Sequence, residues 1–136
     1  MIVSFDSAAF HMLTRPDSIG KQKVRRILRT AQRLGRDVVV PTVVLAELYR
    51  GRGHNHLVDA CLARERTSIG IRDTDRGLAR IVGGVLAGAG SGSAQIVDAH
   101  VVAAAIESGG GVIVTGDPDD LEALSASYHH LTIEPV

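Results

Sequence analysis

Four acidic residues, Asp6, Glu47, Asp98 and Asp117, lie far apart in a chain of 136 residues, and three of them adjoin apolar runs. Asp6 ends Ile2-Val-Ser-Phe5, Asp117 follows Val112-Ile-Val-Thr115 after one glycine, and Asp98 sits among Ile96, Val97, Val101 and Val102. An unpaired charge in such surroundings is costly. Carboxylates gathered at one place repel and raise one another's pKa unless a cation neutralises them. A hard divalent ion suits them, because Mg2+ and Mn2+ prefer oxygen ligands, keep several waters and leave room for phosphate oxygens. An ion held there activates a water and stabilises charge developing on phosphorus, which is the chemistry of phosphodiester hydrolysis.

Taken singly, each acid has an ordinary role available. Asp6 suits a turn. Glu47 can pair with Arg50 one helical turn on, for about 0.2–0.5 kcal/mol. Asp98 can oppose a helix dipole, for about 0.3–1 kcal/mol. Asp117 opens Asp-Pro-Asp-Asp120, a helix-cap signature with Pro at the first helical position. The chemical reading therefore depends on whether the fold gathers the four.

The pattern of apolar residues supplies the elements that would do so. Residues 2–5 read as a short buried strand and residues 37–41 as a second, with Pro41 near a helix start. Between them Ser18 can cap a helix from Ile19 to about Leu34, ended by Gly35. Its Val24, Ile27, Leu28, Ala31 and Leu34 form one apolar face, and its basic residues from Lys21 to Arg33 lie mostly elsewhere. A helix over 42–50 carries Glu47. Further helices are expected over 56–64, 73–87 and 94–108, with a short strand at 67–71 and a loop at 88–93. Asp98 falls in the first turns of the 94–108 helix, which Gly109-Gly-Gly111 terminates. A strand over 112–115, a helix to about Tyr128 and a strand over 131–133 complete the chain. Alternating strands and helices imply an α/β fold with a parallel sheet covered on both faces. In such sheets sites form beyond the carboxyl ends of the strands, so Asp6 and Asp117 are expected at one edge.

Four segments carry a family resemblance: Ser4-Phe-Asp6-Ser-Ala-Ala, Val44-Leu-Ala-Glu47-Leu-Tyr-Arg-Gly51, Val97-Asp98-Ala-His-Val-Val-Ala-Ala-Ala-Ile106, and Val112-Ile-Val-Thr115-Gly-Asp117-Pro-Asp-Asp120-Leu121. In this order and spacing they resemble the motifs of PIN-domain nucleases, in particular VapC-type toxins of toxin–antitoxin modules. The resemblance implies a three-layer α/β/α sandwich over residues 1–136 and Mg2+- or Mn2+-dependent endoribonuclease activity. It also implies inhibition by a cognate VapB-type antitoxin, and a homodimer. By resemblance Asp6, Glu47 and Asp98 carry the metal and the attacking water. Asp117 takes the place of a more variable fourth acid or amide, and Thr115 and Asp120 are secondary contacts. The stretch from Arg50 to Ile96 is least like the family, above all the glycine-rich Gly83–Ser93. That stretch lacks the Gly-Lys-Ser/Thr ending of a phosphate loop and reads as a helix end and connection.

Composition narrows the classes. A chain of this length suits one domain with one core, which here must be aliphatic, since there are two Phe, two Tyr and no Trp. The lone Cys61 excludes a disulfide framework or thiolate zinc cluster, and with no signal-peptide pattern the expected location is cytoplasmic. No apolar run nears the roughly 20 residues needed to span a bilayer. Net charge is zero, yet residues 1–80 hold all fifteen basic and eight acidic side chains, and residues 81–136 hold seven acidic ones alone. Halves of +7 and −7 hint at an anionic partner on one side and cations on the other, unless folding intermixes them. The basic helix is a candidate RNA contact or a solvated face. His54 and His56 are placed in a polar loop with Arg50 and Arg52, and His100 on a helix as a packed or exposed residue. A dehalogenase-type phosphatase is disfavoured by Ala8, where a second Asp is wanted. That class and receiver domains are both disfavoured by the absence of any Lys after Lys23. A PIN-like binding module without cleavage is the remaining alternative.

Overall fold

In the computed structural model, which describes all 136 residues, the chain forms five strands and seven α-helices. Strand β1 (Ile2–Phe5) leads into helices α1 (Ser7–Thr14) and α2 (Ile19–Arg33), then β2 (Val38–Pro41), α3 (Thr42–Leu48), α4 (Arg52–Arg64) and β3 (Gly70–Arg72). Helix α5 (Arg76–Gly88), a 3-10 turn at Ser93–Gln95, α6 (Ile96–Glu107), β4 (Gly111–Thr115), α7 (Pro118–Ser125) and β5 (Leu131–Pro135) follow.

The strands form one wholly parallel sheet in the order β3-β2-β1-β4-β5. From β1 the chain moves outward to β2 and β3, then crosses back to β4 and continues to β5. Right-handed crossovers place α1–α4 on one face and α5–α7 on the other. The packing agrees: α1 lies against α2, α3 and α4, while α5, α6 and α7 contact one another. This is the expected α/β/α sandwich. The direction of travel reverses between β1 and β4, so the crevice beyond their carboxyl ends is the topological switch point, where ligands of open α/β sheets bind.

Helix α6 is the centre of the second layer. Its residues Ala99–Ala105 are all buried, so it is covered on every side, and alanine at four of those seven positions allows close approach to the sheet. Ser4 Oγ on β1 donates to the Val101 carbonyl at 2.9 Å and sets the helix against the strand. Helix α2 is amphipathic as expected, with Val24, Leu28 and Ala31 buried and the Ser18 hydroxyl accepting from Lys21 N–H. Gly35 ends it at φ +67°, a conformation open to glycine without strain.

Several boundaries differ from expectation. Helix α1 is an addition: residues 7–14 follow a strand after one residue, and the apolar run gives no pause between them. Helix α4 starts at Arg52, so His54 and His56 lie on a helix and not in a loop. Strand β3 is shorter and shifted from 67–71 to Gly70–Arg72, and α7 stops at Ser125 before Tyr128. Helix α5 starts at Arg76, three residues later than expected, and runs one residue further, to Gly88; Gly83 and Gly84 sit on its exposed side, with Leu78, Val82 and Val85 buried. No helix is long and apolar enough to cross a membrane.

Few ion pairs form between the basic and acidic parts of the chain. Of three ion pairs, only Arg72–Glu107 joins the basic and acidic parts, with Nε to Oε1 at 2.6 Å. The other six late acids have no basic partner.

Candidate functional site

Asp6 leaves the end of β1 at the switch point and caps α1. Its Oδ1 accepts from Ala9 N–H at 2.8 Å, and its Oδ2 accepts from the Thr115 hydroxyl at 2.5 Å and from Gly116 N–H at 3.3 Å. Thr115 Oγ1 in turn accepts from Asp117 N–H at 2.8 Å. One carboxylate thus joins β1, α1 and the end of β4. It is 4% exposed, and burial raises its pKa against the lowering effect of the Thr115, Ala9, Gly116 and Ala8 donors. The expectation that Asp6 and Asp117 leave the same edge is met by the hydrogen-bonded chain between them.

Gly116 makes this junction possible. A Cβ there would lie 2.5 Å from Ala8 Cβ, inside van der Waals contact. Gly116→Ala is expected to cost about 1–3 kcal/mol by overpacking. Adding Ala8→Gly should recover part of that loss in urea titrations, although glycine inside a helix itself costs about 0.5–1 kcal/mol. A double variant no more stable than Gly116→Ala would locate the strain elsewhere.

Asp98, in the first turn of α6, approaches the same edge because α6 runs antiparallel to the strands. It forms no ion pair, and its pKa is pushed up to about 6, first by burial and then by the charges of Asp6, Glu47, Asp120 and Asp117. Five carboxylates therefore share one electrostatic neighbourhood. Ile96 is exposed at the rim, whereas Val101 and Val102 are fully buried beneath.

Glu47 stands exposed on α3 and accepts a hydrogen bond from the Ser7 hydroxyl, which ties it to the residue after Asp6. The ordinary alternative, a pair with Arg50, does not form. Arg50 Nη1 donates to the Ala46 and Tyr49 carbonyls at 2.8 and 2.9 Å and so covers the end of α3. Asp117 stands at the cap position of α7, but its side chain makes no capping hydrogen bond. The sequence signature located the helix start correctly, yet left the carboxylate free for another role. Asp120, one turn along, has its pKa raised by the Asp117 charge and by a hydrogen bond with that carboxyl.

None of the five acids pairs with a basic residue. Nor do three or more His, Cys, Asp or Glu side chains close into a ready-made cation cage. The donor set is oxygen only and open, which matches a hydrated hard ion held through one or two carboxylates and waters. His100 is buried on α6, its Nδ1 2.7 Å from the Ile96 carbonyl and its Nε2 without a hydrogen-bond partner. Sequence reading missed Ser7, although it directly follows Asp6, because its partner lies 40 residues away.

The PIN-domain family model matches residues 5–126, from the end of β1 to the close of α7. The chain belongs to the PIN-domain family. Members are generally nucleases and typically depend on divalent metal. Among solved structures, the PIN domain resembles a chain from a VapBC2 crystal structure from Rickettsia felis, bound to a DNA fragment from its promoter. The match has a TM-score of 0.67 at 16% identity and covers 100% of this chain and 99% of that one. That likeness establishes the fold. No curated protein matches the sequence.

Proposed function

We propose that this PIN domain, acting as one nuclease unit over residues 1–136, is a Mg2+-dependent endoribonuclease. We further propose that it is the VapC-type toxin of a cytoplasmic toxin–antitoxin pair. The observation that carries the reading is the meeting of Asp6, Glu47, Asp98, Asp117 and Asp120 at the switch point with no basic counter-ion. Such a cluster is unfavourable until a cation enters it.

Asp6 and Asp98 are the residues that would hold the ion, with Glu47 and Asp117 completing its shell directly or through water. Bound Mg2+, or Mn2+, supplies an activated water and charge stabilisation for phosphodiester cleavage. The protein's part is orientation. Thr115, Gly116 and Ala9 fix both oxygens of Asp6, so that carboxylate is set before substrate arrives. Ser7 holds Glu47 toward Asp6, where it can position a water or accept its proton. Asp120, exposed beside Asp117, lies at the rim as a secondary contact.

Partner inhibition follows from the same electrostatics: a basic side chain from a VapB-type antitoxin entering the cluster would replace the cation. The likeness to a chain of a VapBC assembly supports that choice of partner, and a toxin homodimer is the expected assembly. Mixed cellular RNA should be cut with Mg2+ present and spared after EDTA. Equal cleavage in both would sink the metal-nuclease reading. Failure to co-purify with the product of the adjacent reading frame would remove the toxin assignment while leaving the nuclease standing.

A further inference from the structure

Beyond the acids, the face carrying α1, α3 and α4 holds two depressions that share His11, Leu48 and His54. The smaller, about 310 Å³, begins at Ser7 and Glu47 and includes Arg50. The larger, about 650 Å³, continues past Leu57 to Pro16 and Arg15. Together they form one furrow that starts at the acid cluster and runs away from it between α1 and α4.

Its chemistry changes along its length. Beyond Glu47 the polar residues named above are basic: Arg50, His11, His54 and Arg15. None of the four forms an ion pair. Arg15, His11 and His54 make no side-chain hydrogen bond within the protein, so their donors are uncommitted. Lys21 stands at the far end, its ammonium 2.8 Å from the Arg15 carbonyl. Between these groups Leu57 is 50% exposed and Pro16 is exposed, while Leu48 is half-buried. Arginine and imidazole donors alternating with a strip of apolar surface match a single strand, whose phosphates meet the donors and whose bases lie on apolar or imidazole faces.

We infer that this furrow is the path by which a single RNA strand leaves the cleavage centre, with Arg15, His11 and His54 positioning phosphates one to a few nucleotides from the scissile bond. The inference rests on the nuclease reading for its direction, since the furrow opens directly onto Glu47. These are positioning residues. They would determine how tightly a strand is held and on which side of the cut a longer substrate is needed, and so contribute to substrate selection.

The test compares binding and turnover in the full-length protein. In an Asp98→Asn background with Mg2+, so that the strand stays uncut, a short fluorescein-labelled single-stranded RNA is titrated by anisotropy against Arg15→Gln/His54→Ala. Arg36→Gln serves as the control, because it removes one exposed charge at the opposite edge of the sheet. The double variant is expected to bind about tenfold more weakly. Its salt dependence should be shallower by about 0.7 in log–log slope for each phosphate that no longer meets a cation. In the otherwise native Mg2+-loaded enzyme the same pair should raise KM about tenfold and change kcat less than about threefold. Arg36→Gln should move none of these.

Unchanged affinity and salt slope in the double variant would overturn the path. So would loss of antitoxin capture with RNA affinity intact, which would make the furrow a peptide site. If the native protein cuts no RNA but the binding difference persists, the nuclease reading fails and the strand path stands.

Discussion

Asp98→Asn is expected to reduce Mg2+-dependent RNA cleavage by at least about 10²-fold, the scale associated with losing a group that stabilises transition-state charge. The fold should remain intact. Asp98 is half-buried, forms no ion pair and is surrounded by four other acids, so neutralising it removes repulsion and no packing volume. Thermal melts should therefore show a metal-free variant at least as stable as the native chain at neutral pH. A variant that unfolds would show that Asp98 supports structure; one that retains full activity would remove it from the centre.

The same residue fixes the sign of a pH effect. Its pKa is raised from an ordinary 3.8 to about 6, so the folded chain holds this proton more tightly than the unfolded one. The cost of ionising Asp98 in the fold is absent below the lower value, grows between the two, and is complete above about 6. Metal-free protein should lose stability as pH rises through that interval, and Mg2+ should restore it increasingly toward neutral pH. Asp98→Asn should flatten both trends. A Mg2+ stabilisation as large at about pH 4 as at about pH 7 would contradict this account of the centre.

Asp6 has the second large expected effect, and two substitutions separate its two roles. Asparagine retains an oxygen that can accept from Ala9 N–H and is itself a good helix cap. Asp6→Asn should keep the cap but not the bonds from Thr115 and Gly116, which an amide NH2 cannot accept, and lose cleavage by at least about 10²-fold, since the negative charge is gone. Asp6→Ala should lose cap and cleavage alike. Removing the cap costs about 1 kcal/mol and separates alanine from asparagine, whereas the Thr115 hydroxyl loses its acceptor in both, at about 1–3 kcal/mol offset by relief of a buried charge. The variants should therefore differ in melting temperature by several degrees while being equally inactive. Equal stability would mean that the Asp6 cap on Ala9 contributes nothing to the fold.

Much of this was legible in the sequence, and the physical reason differs by residue. The apolar runs at 2–5, 38–41 and 112–115 and the amphipathic pattern of 19–33 mark buried elements through local periodicity alone. Alternation of those elements leads to a parallel sheet, and a parallel sheet places Asp6 and Asp117 at one edge. Helix α1 escaped because its cap is also the residue that ends β1; a single Asp serves both, and no turn residues separate them. Asp117 shows the opposite error. Its cap motif correctly starts α7, yet capping geometry depends on the backbone angle at that residue, here φ −131° and ψ 75°, and the side chain makes no capping bond.

The sequence by itself determined the elements, the late excess of acid and the order of the four acidic motifs, because these rest on spacing within single segments. Only the tertiary structure decided what the acids are to one another. Ser7 meets Glu47 across 40 residues and Thr115 meets Asp6 across 109. Whether the basic half would neutralise the acidic one was likewise settled by packing, since only Arg72 crosses over to pair with Glu107. Long-range registry of the sheet converts separate carboxylates into one uncompensated centre, and no local pattern carries that information.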